Sequence, residues 1–355
     1  MRTPIRCTLC LAAVLSVGSA QADEVAIQWH GFVSAGATLS NSATKYEDTI
    51  DDKGSYTPSR FGLTISAQLD REWRAAGQLI AHNEQGSSAA ELDWGFISYR
   101  PSDRFALDMG KIKYPNNLIS EYFETGFAYP WVRPPAEFYS HENLGPNMTF
   151  EQFTGFSPIF SSSGTGTRYS LQPFVGETSH DDGSNKKLFG VKAGLSQEGL
   201  EALIGYSNQL MVLNATSSRF AENNDKTLQV LSVGFSLDRR NTVIYAEYAK
   251  SKVEDRPDFD TTAGYATYGY RFGKYLPNIT YAWFDQESGL GQTSITLGLR
   301  RELTVFAAVK AEWKSADPKQ RRTALASGAR PAGLFETLPN EDRVNIVGVS
   351  VELVF

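Results

Sequence analysis

The sequence is poor in cysteine, in histidine and in long hydrophobic runs. Its 355 residues hold 2 cysteines and 4 histidines, with 41% hydrophobic and 21% charged positions. Beyond the N-terminus there is no run of about 18 apolar residues, which excludes a helical membrane protein. The formal net charge of −6 lacks the basic excess that nucleic-acid binding needs. His30, His82, His141 and His180 are scattered. His141-Glu142 opens a zincin-like pattern, but Gly145 stands where the second histidine belongs. No Gly-x-Ser-x-Gly, Walker loop or dinucleotide fingerprint is present, so neither a metal nor another cofactor is expected.

Both cysteines fall in a segment with an export pattern. Arg2 and Arg6 precede the apolar stretch Cys7–Val17, and Ala20-Gln21-Ala22 gives a small-x-small cleavage site. Residues 1–22 are therefore expected to be a cleaved signal peptide and 23–355 the mature domain. Removing 22 of 355 residues leaves 333, without cysteine, at a net charge of −8. An exported chain of this length without disulfides must gain its stability another way.

What is abundant is alternation. From Asn345 to Phe355 the odd positions read Asn, Val, Val, Val, Leu, Phe, while the even ones include Gly348, Ser350 and Glu352. Side chains alternate faces along a strand, so one face is apolar and the other small or polar. Phe61 to Leu69, Trp73 to Ala81 and Leu303 to Trp313 repeat the pattern. The segments run to about ten residues, longer than strands of a soluble sheet. Aromatics such as Trp29, Trp73, Tyr99, Phe105, Tyr206, Phe272 and Trp313 sit near their ends, as interface girdles require.

Connections alternate in length. Short ones fall at Asp70-Arg71, 101–103, 197–199, Arg239-Arg240, 273–277 and Arg301-Glu302, with a longer one at 157–165. Long ones fall at 40–58, 83–90, 114–146, 177–186, 211–225, 252–261, 286–291 and 315–342. The expectation is an all-β protein: a transmembrane antiparallel β-barrel of about 16 strands, with tight turns on one side and long loops on the other.

On this parity the inner face carries Arg60, Arg74, Arg168, Lys192, Arg271, Arg300 and Lys310 as a basic pore wall. It also carries Asp70, Glu72, Asp93, Glu201, Glu247, Glu312 and Glu352. Charges of both signs make sense beside a water column, where they shape the field that permeating solutes feel. Lys111 and Lys113 share parity with Phe105, Leu107 and Met109, so strict alternation aims them at lipid unless a bulge near Gly110 redirects them.

The third long connection is rich in aromatics and in prolines, including Pro130, Pro134 and Pro135, which suits a stiff loop packed inside the barrel. Its charges are Glu121, Glu124, Glu137, Glu142 and Arg133. Facing basic walls, Glu121, Glu124, Arg133 and Glu137 are expected to form the constriction and to set a transverse field. An outer-membrane hydrolase using His82 or His180 is the rival from another class, although no nucleophile–base spacing supports it.

The exported chain, the sixteen amphipathic segments, the long third loop and the terminal Phe355 resemble the Gram-negative outer-membrane porins over 23–355. Gly110-Lys111-Ile112-Lys113-Tyr114-Pro115 and the 126–139 loop look like a proteobacterial porin subgroup. Phosphate-selective porins share a similar Gly-basic-x-basic pattern, but the acidic third loop and the lack of a dense lysine ladder depart from a dedicated phosphate channel. The resemblance implies passive diffusion of small hydrophilic solutes and ions, with anion preference for phosphate or organic acids as the alternative. It also implies a homotrimer in the outer membrane, among lipid and lipopolysaccharide, and a C-terminal Phe355 read by the barrel-assembly machinery.

Overall fold

A computed structural model describes residues 25–82, 90–139, 151–162, 166–180, 183–213, 223–320 and 333–355. The expected signal segment 1–22, Glu142 and His141 lie outside the described residues. Sixteen strands follow in chain order: β1 (Ala26–Ser40), β2 (Arg60–Gln68), β3 (Trp73–His82), β4 (Ala90–Ser102), β5 (Phe105–Lys113), β6 (Gln152–Ser161), β7 (Arg168–His180) and β8 (Gly183–Gln197). β9 (Leu200–Leu213), β10 (Thr227–Arg239), β11 (Thr242–Val253), β12 (Thr261–Tyr270), β13 (Tyr275–Gln286), β14 (Leu290–Thr304), β15 (Ala307–Gln320) and β16 (Val344–Val354) complete the set.

Each strand pairs antiparallel with its neighbours in sequence, and β1 pairs with β16 from Phe32↔Val354 to Ser40↔Ile346. The ring is closed, so no row of backbone donors and acceptors is left facing lipid. Phe355 finishes the seam: its N–H donates to the Gly31 carbonyl at 3.0 Å, and the Gly31 N–H donates back at 2.9 Å.

The alternation read from sequence is the barrel's inside and outside. On β16 Val347, Val349, Val351 and Leu353 are exposed outward, while Ile346, Ser350 and Glu352 are buried inward. Outward residues look exposed because their solvent is hydrocarbon.

Several boundaries differ from expectation. β14 runs on to Thr304 and the turn is Val305-Phe306, not Arg301-Glu302. Leu303 therefore belongs to β14, and a register shift at Glu302/Thr304 absorbs the change. Apolar alternation continues through this hairpin without Gly, Pro or Asn, so nothing in the pattern marks the corner. The expected long loop at 177–186 is instead strand on both sides, since β7 reaches His180 and β8 begins at Gly183. Likewise 286–291 shrinks to the three residues between β13 and β14.

Candidate functional site: the third loop and the passage beside it

The third long loop, L3, leaves β5 at Lys113 and folds into the barrel, forming short helical turns at Ser120–Tyr122, Gly126–Ala128 and Ala136–Tyr139. Its apolar side chains bury against one wall. Leu118, Ile119, Tyr129, Trp131, Phe138 and Tyr139 cluster with Tyr265 and Phe284. The wall makes room with small inward residues on four strands: Ala249, Ala263, Ala282 and Ala316. Tyr46 and Ile50 from the first long loop, L1 (41–59), and Leu334 and Phe335 from the last close over the same cluster. Each large apolar side chain buried this way contributes about 1.5–3 kcal/mol. This is why the loop carries the aromatics that an exposed loop would not.

Polar contacts fix L3 in register with that wall. Glu247 on β11 accepts from the Leu118 N–H at 2.8 Å, from the Tyr265 hydroxyl at 2.8 Å and from the Tyr139 hydroxyl. The Trp131 indole N–H lies 2.9 Å from the Thr280 hydroxyl and 3.2 Å from that of Thr267. Glu312 on β15 accepts from the Val132 N–H at 2.9 Å. Arg300 donates to the carbonyls of Phe127 and Tyr129, and Lys310 to those of Gly126 and Trp131. Gly126 sits so close to Glu352 that a Cβ there would lie 2.3 Å from its carboxylate, so any larger residue requires that carboxylate to shift.

The expected site residues thus separate. Lys310, expected on the pore wall, is sealed under L3, its side chain at 0% exposure and 3.7 Å from Glu352. Arg300 is likewise buried and holds loop carbonyls. Glu137, expected at the constriction, is wholly buried and bonded to Lys314 at 2.9 Å and Gln292 at 2.6 Å. Burial pushes its pKa up, but Lys314 and these hydrogen bonds outweigh that and hold it below the usual carboxylate range. Arg133 pairs with Glu47 of L1 at 3.1 Å. The residues that anchor the loop, Glu247, Glu312 and Lys314, carry the same alternating signal as any lumen residue. Only contact with L3 distinguishes them.

Glu124 and Arg60 meet at 3.0 Å, both nearly buried, and Arg60 also donates to the Tyr129 hydroxyl. Burial raises the Glu124 pKa to about 7, and the neighbouring charges of Glu151 and Asp93 add to the effect against Arg60 and Lys113. Lys113 faces inward as well, 2.6 Å from Asp93 and 3.0 Å from Glu151. The bulge that brings them together is on β4, where Asp93 has no partner opposite Gln78–Leu79, and not at Gly110. Gly110 has φ +136°, with the β4 backbone too near for any Cβ. Lys111 remains exposed and donates to the Leu92 carbonyl at 2.6 Å.

L3 is also bonded to β9 and β10 through Asn116 and to β2 through Arg60, and it lies against Glu352 of β16, so the space left open lies along β4–β8. Arg100, Arg168 and Lys192 line that space from β4, β7 and β8. Lys192 reaches Glu121 at 3.3 Å, and Glu121 is the exposed carboxylate of the loop. Arg168 forms no ion pair with any described residue, whereas the charges of Arg74 and Arg100 act on Asp108 of β5. Across the lumen Arg271 is engaged by both oxygens of Asp238, at 2.7 and 3.0 Å. Arg100 was absent from the expected basic wall. Its parity with Ser98 and Asp108 on the inner face is the signal that finds it.

Known proteins match this architecture. The profile of the Gram-negative porin family matches residues 8–317. No curated protein sequence matches. Among solved structures, the chain is similar to an anion-selective porin from Comamonas acidovorans, with a TM-score of 0.64, 15% identity, and coverage of 94% of this chain and 100% of that one. A trimer form of OmpT, an outer membrane protein of Vibrio cholerae, gives 0.59 and 12% over 94% and 100%. The outer membrane channel DcaP of Acinetobacter baumannii gives 0.58 and 11% over 96% and 100%. Family and fold point to an outer-membrane channel and not to an enzyme. With its closed sixteen-stranded barrel and the family profile spanning most of its length, the chain belongs to the Gram-negative porins.

Proposed function

We propose that the protein is a water-filled channel for passive diffusion of small hydrophilic solutes and ions. One observation carries this reading: L3 folds into a closed barrel and packs against most of its inner wall, leaving a space along β4–β8 lined by Arg100, Arg168 and Lys192. Charges there cost little beside water and would be prohibitive in a dry core. The reading includes a mature domain from residue 23 after signal cleavage, short turns in the periplasm, and lipid and lipopolysaccharide around the barrel. A homotrimer agrees with the trimer form of the similar OmpT barrel. Phe355, bonded into the β1–β16 seam, suits recognition by the assembly machinery. Purified protein in a planar bilayer is expected to give stable conductance steps of about nanosiemens order. Folded protein without conductance would sink the proposal.

A mild anion preference follows from the open wall. Glu137 is neutralised by Lys314, whereas Arg168 has no ion pair with any described residue. Ion selectivity should also follow pH. As pH falls through about 7, Glu124 takes up a proton and Arg60 keeps its charge, so the lumen becomes more positive. Reversal potentials in a salt gradient should shift toward anion preference between pH 8 and pH 6. Glu124→Gln should remove most of that shift; an identical pH response in the variant would place the titrating group elsewhere.

A further inference from the structure

The open wall is hollowed at its short-turn end. A cavity of about 540 Å³ lies there between L3 and strands β4–β8. Arg100, Arg168 and Lys192 bring three cations to it, against the acids Asp103 and Glu121. Between the charges stand hydroxyls from Ser102, Ser161, Ser162 and Ser170. Of the three cations, Lys192 is committed to Glu121, while Arg168 has neither a hydrogen bond through its guanidinium nor an ion pair with a described residue. An arginine fork left unengaged on a concave wall offers bidentate binding to a carboxylate or phosphate.

We infer that this cavity is a binding subsite for a short, polyhydroxylated carboxylate of the sugar-acid type; the inference rests on the channel reading above. The register supplies the reasoning. Gln172 pairs with Lys192 across β7–β8 and Arg168 pairs with Ser196, so Arg168 and the Lys192 row are four residues apart along the strand. At about 3.3 Å per residue the backbones are about 13 Å apart there, with Ser170 and Gln172 on the same face of β7 as Arg168. A short hydroxylated chain held at Arg168 reaches Ser170, two residues along the same face, and Ser161 paired opposite it. Its carboxylate meets the Arg168 fork, and its hydroxyls exchange hydrogen bonds with Ser170 and Ser161 in place of water. An alkyl carboxylate of equal length presents no such partners. A neutral polyol presents no charge. The cavity lies on the short-turn side of L3, so entry from that side meets it before the constriction.

The test is block of ion current through the full-length channel in dilute KCl, with gluconate, hexanoate or sorbitol added to one side at a time. Gluconate should reduce the current saturably, and at lower concentration from the short-turn side. Hexanoate and sorbitol should act at least tenfold more weakly. Arg168→Gln should weaken gluconate block about tenfold, with block read as the fraction of that variant's own KCl current, and the barrel should stay folded since Arg168 touches nothing that holds the fold. Ser170→Ala tests the hydroxyl share and should lose a few-fold in block. Equal block by hexanoate and gluconate, no block in a conducting channel, or unaltered block in Arg168→Gln each overturns the subsite and leaves the channel reading standing. Absence of KCl conductance overturns both.

Discussion

Lys314→Met should destabilise the folded barrel by about 3–5 kcal/mol, the cost of leaving a buried carboxylate without its counter-charge. Lys314 is the only cation bonded to Glu137 among the described residues, and it also meets the Tyr46 hydroxyl at 2.8 Å. Gln292 ties the same group together, donating to Glu137 and accepting from the Leu334 N–H at 3.2 Å. One side chain thus links L1, L3, the last loop and β14. Unfolding in detergent by urea gives the energetic readout, and single-channel recording gives the functional one. With its C-terminal half released, L3 no longer holds a fixed aperture, so conductance should rise and its noise increase. Glu137→Gln combined with Lys314→Met should recover most of the lost stability, because removing both charges removes the desolvation penalty as well. A double variant as unstable as Lys314→Met alone would mean that shape, not charge, is what this cluster requires.

Glu247→Leu should have the second large effect. It strands three buried donors at once: the Leu118 N–H and the Tyr139 and Tyr265 hydroxyls. An unpaired buried donor costs about 1–3 kcal/mol, so several kcal/mol are at stake. Glu247→Gln keeps one acceptor oxygen and should lose clearly less. If Leu and Gln behave alike, the anchoring resides in the surrounding aromatic packing and not in these hydrogen bonds. Both variants should leave β-sheet circular dichroism intact, since Glu247 bonds no other strand through its carboxylate except by way of Tyr265.

These two sites show why selectivity is not simply the sum of lumen charges. Glu121, Glu124 and Glu137 look equivalent in sequence, three acids within seventeen positions of one loop. In the structure Glu121 is exposed to the passage, Glu124 is held between Arg60 and other carboxylates, and Glu137 is locked against Lys314. A triple Gln variant would therefore mix a selectivity change at Glu121 with a stability loss at Glu137. The same division splits the basic wall. Arg168 and Lys192 face the passage, whereas Arg300 and Lys310 hold L3 by its carbonyls.

The sequence by itself determined the barrel. Period-two alternation over segments of about ten residues, with long and short connections in turn, gives a barrel of about sixteen antiparallel strands, because a strand's two faces must meet different solvents. It also determined that L3 packs inside, since so many aromatics in one loop need a wall to cover them. Hairpin corners were less legible. At Val305-Phe306 apolar residues continue through the turn, and local pattern cannot say where a chain reverses. Only the tertiary structure decided which inward charges face water. Lys310 and Lys192 share one strand parity rule, and what separates them is L3 lying directly over Lys310, whose ammonium its carbonyls hold, while Lys192 borders the open space along β4–β8. That choice depends on contacts between residues more than a hundred positions apart, such as Leu118 with Glu247 and Glu137 with Lys314. Alternation reports which face a side chain is on; burial of that face depends on what else folds against it.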